Sequence, residues 1–148
     1  MQTLTDAVSS GANDDAIESV EVVLREALEA TADDVLGADG YILGTPANFG
    51  YMSGALKHFF DSRFLEIGGS LSDDGSAAGG APPGKKPFGL YVHGRYDVTG
   101  AVRSVLSITG ALPWRQASEA LQVLGEVGDA EREAAYELGG TVAALLMS

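Results

Sequence analysis

Two stretches of this chain combine glycines, aromatic rings and polar side chains at spacings suited to ligand binding. The first is Thr45-Pro46-Ala47-Asn48-Phe49-Gly50-Tyr51-Met52-Ser53-Gly54, which follows the apolar run Tyr41-Ile42-Leu43. Glycines let backbone N–H groups come close to a ligand. Pro46 stiffens the start of the loop, Asn48 can donate or accept, and Phe49 and Tyr51 offer ring faces. That mixture suits a flat heteroaromatic ring with polar edges; the plainer reading is a β-to-α connection with a capping Ser53. The second stretch, His93-Gly94-Arg95-Tyr96-Asp97-Val98-Thr99-Gly100, closes another apolar run. There Tyr96 can stack on a ring, Arg95 can face an anion or simply be solvated, and His93 can polarise a ring carbonyl or serve as a structural hydrogen-bonder.

Other chemistries fit badly. The chain has no G-x-S-x-G elbow, no G-x-x-x-x-G-K-[ST] phosphate loop and no histidine pair at metal spacing. With no cysteine, thiolate catalysis and disulfides are excluded. A net charge of −12, with 9 cations against 21 carboxylates, argues against nucleic acid, whose phosphates need clustered Lys and Arg. Such a surface also suits a salt-rich cytoplasm. No apolar run reaches the ~20 residues of a membrane span, and Met1–Asp6 lacks the pattern of a secretion signal. A cytoplasmic protein is therefore expected. The pairs Asp14-Asp15, Asp33-Asp34 and Asp73-Asp74 read as solvated turns, His58 as solvent-facing and Trp114 as core.

These loops must be carried by alternating elements. Leu4, Ala7 and Val8 share a helical stripe that Gly11 and Asn13 end. Val20–Leu24 reads as a short strand. Thr31 with Asp34 caps a brief helix through Leu36, and Gly40–Leu43 is the next strand. Ser53 caps a helix bearing Leu56, Phe59, Phe60 and Phe64. Residues 68–86 hold six glycines, three serines and Pro82-Pro83 without apolar periodicity, which predicts a flexible loop inside one domain covering 1–148. Pro87–His93 is a buried strand. A helix from about Thr99 is interrupted near Gly110 and stopped by Pro113, and Ala120–Leu124 is the last strand. Asp129 caps a closing helix, in which Gly139-Gly140 predicts close packing against the sheet. Strands alternating with helices imply a three-layer α/β/α protein with a parallel sheet, whose ligands gather at the carboxyl ends of the strands.

The run Ala38-Asp39-Gly40-Tyr41-Ile42-Leu43-Gly44-Thr45-Pro46-Ala47-Asn48-Phe49-Gly50-Tyr51-Met52-Ser53-Gly54, continuing through Leu56-Lys57, Phe59 and Asp61, resembles the flavodoxin-like superfamily. Within it the chain is most similar to NAD(P)H-dependent FMN reductases and related quinone reductases. The resemblance implies a 2-1-3-4-5 parallel sheet with FMN at its carboxyl edge. Thr45, Pro46, Ala47, Asn48, Phe49 and Gly50 would line one side of the isoalloxazine, and His93, Gly94, Arg95 and Tyr96 the other. It also implies an NAD(P)H oxidoreductase passing electrons to a quinone or free flavin, with small-molecule donor and acceptor and no nucleic acid or membrane partner. Homo-oligomerisation stays open. A flavodoxin-type electron carrier and a flavin-free domain are the alternatives.

In one respect the chain departs from the pattern. Met1-Gln2-Thr3-Leu4-Thr5-Asp6-Ala7-Val8 resembles the helix that follows the family's phosphate loop, so the first, central strand and that loop are expected ahead of Met1. The expectation is a shortened form of a longer protein, or else a rearranged sheet or pairing supplied by a partner chain.

Overall fold

A computed structural model describes residues 1–67 and 86–147. In chain order the elements are α1 (Gln2–Ala12), α2 (Ala32–Leu36), β1 (Tyr41–Pro46), α3 (Gly54–Arg63), β2 (Pro87–Gly94), α4 (Thr99–Ala111), β3 (Arg115–Gln116), β4 (Leu121–Leu124) and α5 (Asp129–Ala144). The expected loop at 68–86 lies, but for Lys86, outside the described residues.

β2 is the spine of the sheet, buried along nearly its whole length as expected of a parallel strand covered on both faces. β1 runs parallel along one side, from Tyr41 opposite Phe88 to Pro46 opposite His93. Along the other side β3 pairs with the start of β2 and β4 with its end, so the two form one interrupted parallel strand. β3 was not anticipated, because Arg115 and Gln116 are exposed and carry no apolar signal. The adjacency of β1, β2 and β4 fits the 3-4-5 portion of the expected order.

Two cores flank the sheet. On one face α3 and α4 cover Phe88, Leu90 and Val92 with Leu56, Phe59, Phe60, Ala101 and Val105. Here Trp114 stacks on Tyr41, with ring centroids 4.1 Å apart. On the other face α1 and α5 contribute Leu4, Val8, Ala135, Leu138 and Val142, packed with Tyr91 and Val123. Local capping follows the sequence closely. Thr31 and Asp34 form a reciprocal box at α2, and the Ser53 hydroxyl accepts from the Leu56 N–H at 3.1 Å.

Three expectations are corrected. α4 continues through Gly110, because its far turn packs through Thr109 and Ala111. At α5, Gly128 occupies the cap and its N–H donates to Glu131 at 3.1 Å, which leaves Asp129 inside the first turn. Val20–Leu24 is extended but joins no sheet. It faces the outer edge of β1 across a cavity of about 140 Å³, where no strand among the described residues lies between them. Tyr91 partly fills this region by crossing over Gly44 to reach Thr5, the two hydroxyls being 2.8 Å apart. Among the described residues, no strand precedes α1.

The glycines of α5 also act differently from expectation. A Cβ on Gly139 would lie 2.0 Å from the Val8 carbonyl oxygen, and one on Gly11 would lie 1.9 Å from that of Tyr136. The close approach is therefore helix against helix. Gly89 on β2 performs the sheet-side task, leaving room for Leu138 and Val142.

Gly139→Ala must push two backbones apart, and overpacking costs typically ~1–3 kcal/mol, against ~1 kcal/mol of regained helix propensity. We expect a net loss of up to about 2 kcal/mol, read as a fall of up to roughly 8 °C in Tm. Gly140→Ala, whose added carbon meets only an ordinary 3.5 Å neighbour, is expected to raise Tm instead; equal shifts for both variants would refute the backbone-contact account.

Burial, reinforced by the negative charge of Asp39, pushes the Tyr41 phenol up to about 12. The unfolded chain ionises near 10, so the stability tied to neutral Tyr41 is intact below that pH and is lost as pH rises toward 12. Emission from Trp114, the sole tryptophan, is expected to report alkaline unfolding in that window, and Tyr41→Phe to move its onset upward.

Candidate functional site at the carboxyl rim of the sheet

The parallel ladder between β1 and β2 ends with Pro46 beside His93, and the Ala47 N–H continues it by donating to the His93 carbonyl at 2.9 Å. Loops 47–53 and 95–98 therefore leave the same rim side by side. They also touch. A Cβ on Gly94 would lie 3.1 Å from that of Ala47, and one on Gly100 would lie 2.2 Å from the Gly50 carbonyl oxygen. Only glycine at 100 lets the first loop settle on the start of α4.

The first loop is a tight turn. Asn48 and Tyr51 exchange backbone hydrogen bonds of 2.8 and 2.9 Å, leaving Phe49 and Gly50 at the tip. Both tip residues have positive φ, 51° and 76°, the signature of a type I′ turn. Gly50 adopts this freely, but Phe49 does not, and a non-glycine residue there costs about 1–2 kcal/mol. The turn leaves the Phe49 ring in solvent, where it is fully exposed (relative exposure 108%). Thr45 behaves oppositely. Its side chain is fully buried, and its hydroxyl accepts from the Ser53 N–H at 2.8 Å while donating to the Pro46 carbonyl at 2.8 Å. It thus braces the two ends of the loop.

On the second loop, Arg95 and Tyr96 project into solvent, Tyr96 at 83% exposure. Asp97 accepts from the Thr99 N–H at 2.9 Å just ahead of α4; that bond, with help from the Thr99 hydroxyl, holds its carboxyl below the ordinary 3.8. His93 is half-buried. Its Nε2–H donates to the Gly125 carbonyl at 2.5 Å, and its Nδ1 faces the Met1 ammonium at 3.4 Å, which brings the start of α1 to the same rim.

The sequence reading did not anticipate a third loop, 125–128. The Gly125 N–H donates to the Gly94 carbonyl at 2.8 Å, and Gly125 has φ 78°. A glycine directly after the last strand was the available signal. The rim thus holds all ten residues expected to line a ligand. Three aromatic rings, those of Phe49, Tyr51 and Tyr96, lie exposed, while Thr45 and Gly94 are buried and shape the loops from beneath. Among the described residues no cluster of three or more His, Asp or Glu could hold a metal ion, and no helix is long and apolar enough to cross a membrane.

A parallel sheet between two helical layers, with glycine-rich turns along its carboxyl rim, defines a flavodoxin-like α/β protein. Solved structures agree. An archaeal flavodoxin superposes with a TM-score of 0.74 at 15% identity, covering 96% of this chain and 87% of its own. A WrbA-like protein of Agrobacterium tumefaciens does so at 0.66 and 18%, covering 97% and 87%. In sequence, a flavodoxin of Aquifex aeolicus is 34% identical over 112 residues, 66% of this chain and 60% of its own length. A protein of Arabidopsis thaliana named "Probable NAD(P)H dehydrogenase (quinone)" is 39% identical over 64 residues, 43% of this chain and 19% of its own. The chain thus spans less than two thirds of the length of either curated relative. Residues 6–122 match the NADPH-dependent FMN reductase family, and the chain belongs to that family.

Thr45→Val keeps the volume but leaves the Ser53 N–H without its acceptor, a cost of ~1–3 kcal/mol when the orphan is buried. Urea unfolding is expected to show that loss, whereas Thr45→Ser should retain most of the stability; no change in Thr45→Val would remove the hydroxyl from its bracing role.

Proposed function

We propose that the rim binds FMN and that the protein is an NAD(P)H-dependent FMN oxidoreductase acting on a quinone or free flavin. The observation that carries this reading is the strained, solvent-facing Phe49 and the exposed Tyr96 on two adjoining turns whose backbone N–H groups at Phe49, Gly50, Arg95 and Tyr96 have no partner among the described residues. Aromatic faces beside free N–H donors suit a planar ring with polar edges. Bound FMN would supply acceptance of a hydride from the nicotinamide and its onward transfer as electrons.

This chain's own residues would bind and orient. Ala47 and Asn48 lead into one turn, whose tip is Phe49 and Gly50, stiffened by Pro46 and braced from below by Thr45. Gly94 permits the second loop to lie close, and His93 ties the third loop to it through Gly125. Arg95 offers the rim a positive charge for an anionic edge. No protein acid or base is required, since the redox chemistry belongs to the flavin. Family membership supports the same reading, as does the quinone dehydrogenase similarity over 64 residues.

A second reading, a flavodoxin-type carrier, is favoured by the net charge of −12, which suits docking on basic redox proteins. Titration with FMN followed by steady-state NAD(P)H oxidation separates the two. We expect saturable flavin binding, weakened about tenfold or more by Phe49→Ala with Tyr96→Ala, and quinone-dependent consumption of NAD(P)H without any added reductase. Flavin binding without such consumption assigns the carrier role; no flavin binding refutes both.

A further inference from the structure

From the rim a groove of about 740 Å³ descends between α3 and α4. Tyr51 and Gly100 stand at its mouth, Lys57 lines it from α3, and Arg103, Ser104 and Ser107 line it from α4. Tyr51 and Gly100 also belong to the two rim loops, so the groove continues the candidate site without a break. Its charge is out of character for the molecule. The chain carries only 9 cations against 21 carboxylates, yet two of the nine face this groove. Asp61, which also lines it, pairs with Lys57 at 2.6 Å. Arg103 is exposed and forms no ion pair among the described residues, so the groove keeps a positive charge.

We infer that this groove binds the diphosphate and adenosine half of the nicotinamide dinucleotide, an inference that rests on the reading of the rim as a flavin site. Arg103 lies four residues past Thr99, about 6 Å down the helix axis at 1.5 Å per residue. With the nicotinamide at the rim, a diphosphate one ribose further along the groove would lie within reach of the Arg103 side chain. Arginine presents parallel N–H donors matched to phosphate oxygens. Ser107 follows one turn later on the same stripe of α4 and adds a hydroxyl, whereas the Ser104 hydroxyl donates to the Ala101 carbonyl at 3.0 Å. Beyond the charged stretch the walls turn apolar, with Phe64, Leu65 and Ile108 offering a surface for the adenine.

The test uses adenosine 5′-diphosphate as probe, titrated calorimetrically at low salt into the flavin-free protein, and into Arg103→Ala and Arg103→Lys. We expect saturable binding that Arg103→Ala weakens about tenfold, equivalent to about 1.4 kcal/mol, with Arg103→Lys intermediate. In the FMN-loaded protein, Arg103→Ala is expected to raise KM for NAD(P)H by a similar factor with kcat and FMN affinity unchanged. The inference is overturned if the wild-type protein binds no diphosphate, if Arg103→Ala binds it equally well, or if the substitution alters the oligomeric state instead, which would assign the groove to a second copy of the chain. Should the protein fail to bind FMN while diphosphate binding still depends on Arg103, the rim reading falls and the groove assignment stands.

Discussion

The parallel ladder between β1 and β2 is the constraint on which the rest depends. Because the two strands run the same way and end in register, Pro46 beside His93, their outgoing loops must emerge together. The Ala47-to-His93 hydrogen bond extends that register one residue into the loops. A one-residue slip would turn every side chain of β1 to the opposite face. It would expose Thr45, now fully buried, and remove the brace under the first turn.

Around this ladder the molecule repeatedly uses missing side chains to bring backbones together. Gly139 and Gly11 let α5 and α1 meet backbone to carbonyl, Gly89 seats α5 on the sheet, and Gly100 lets the Phe49–Gly50 tip rest on α4. Close approach on the α1–α5 face fixes where α1 begins, which is at the rim beside His93. On the opposite face, larger rings set the spacing: Phe59, Phe60, Phe88 and Trp114 fill the layer under α3 and α4 and keep those helices far enough apart to leave a groove. Side chains of different size thus set the spacing on the two faces of the sheet.

Much of this was legible in the residues. Elements were readable where apolar periodicity and caps agree, as with Ser53 before α3 and the Thr31–Asp34 pair at α2. The two rim loops were recognisable from glycine and aromatic content after apolar runs. Val20–Leu24 shows the limit. Its composition favours a strand, but a strand exists only when a neighbour takes its hydrogen bonds, and here a cavity lies between it and β1. β3 shows the converse, since Arg115 and Gln116 become a strand solely because the start of β2 offers an edge.

The amino-acid sequence by itself determined the alternation of strands and helices, the caps of α2 and α3, the acidic surface and the chemical content of the rim loops, since each depends on neighbours within a few residues. Tertiary structure alone decided which glycines serve helix–helix approach, that Thr45 braces and Phe49 projects, that 125–128 joins the rim through His93, and that Arg103 shares a groove with Lys57. Those are facts of distance between residues far apart in the chain. No local preference encodes them, because they arise only when the sheet register and the two helical layers are assembled at once.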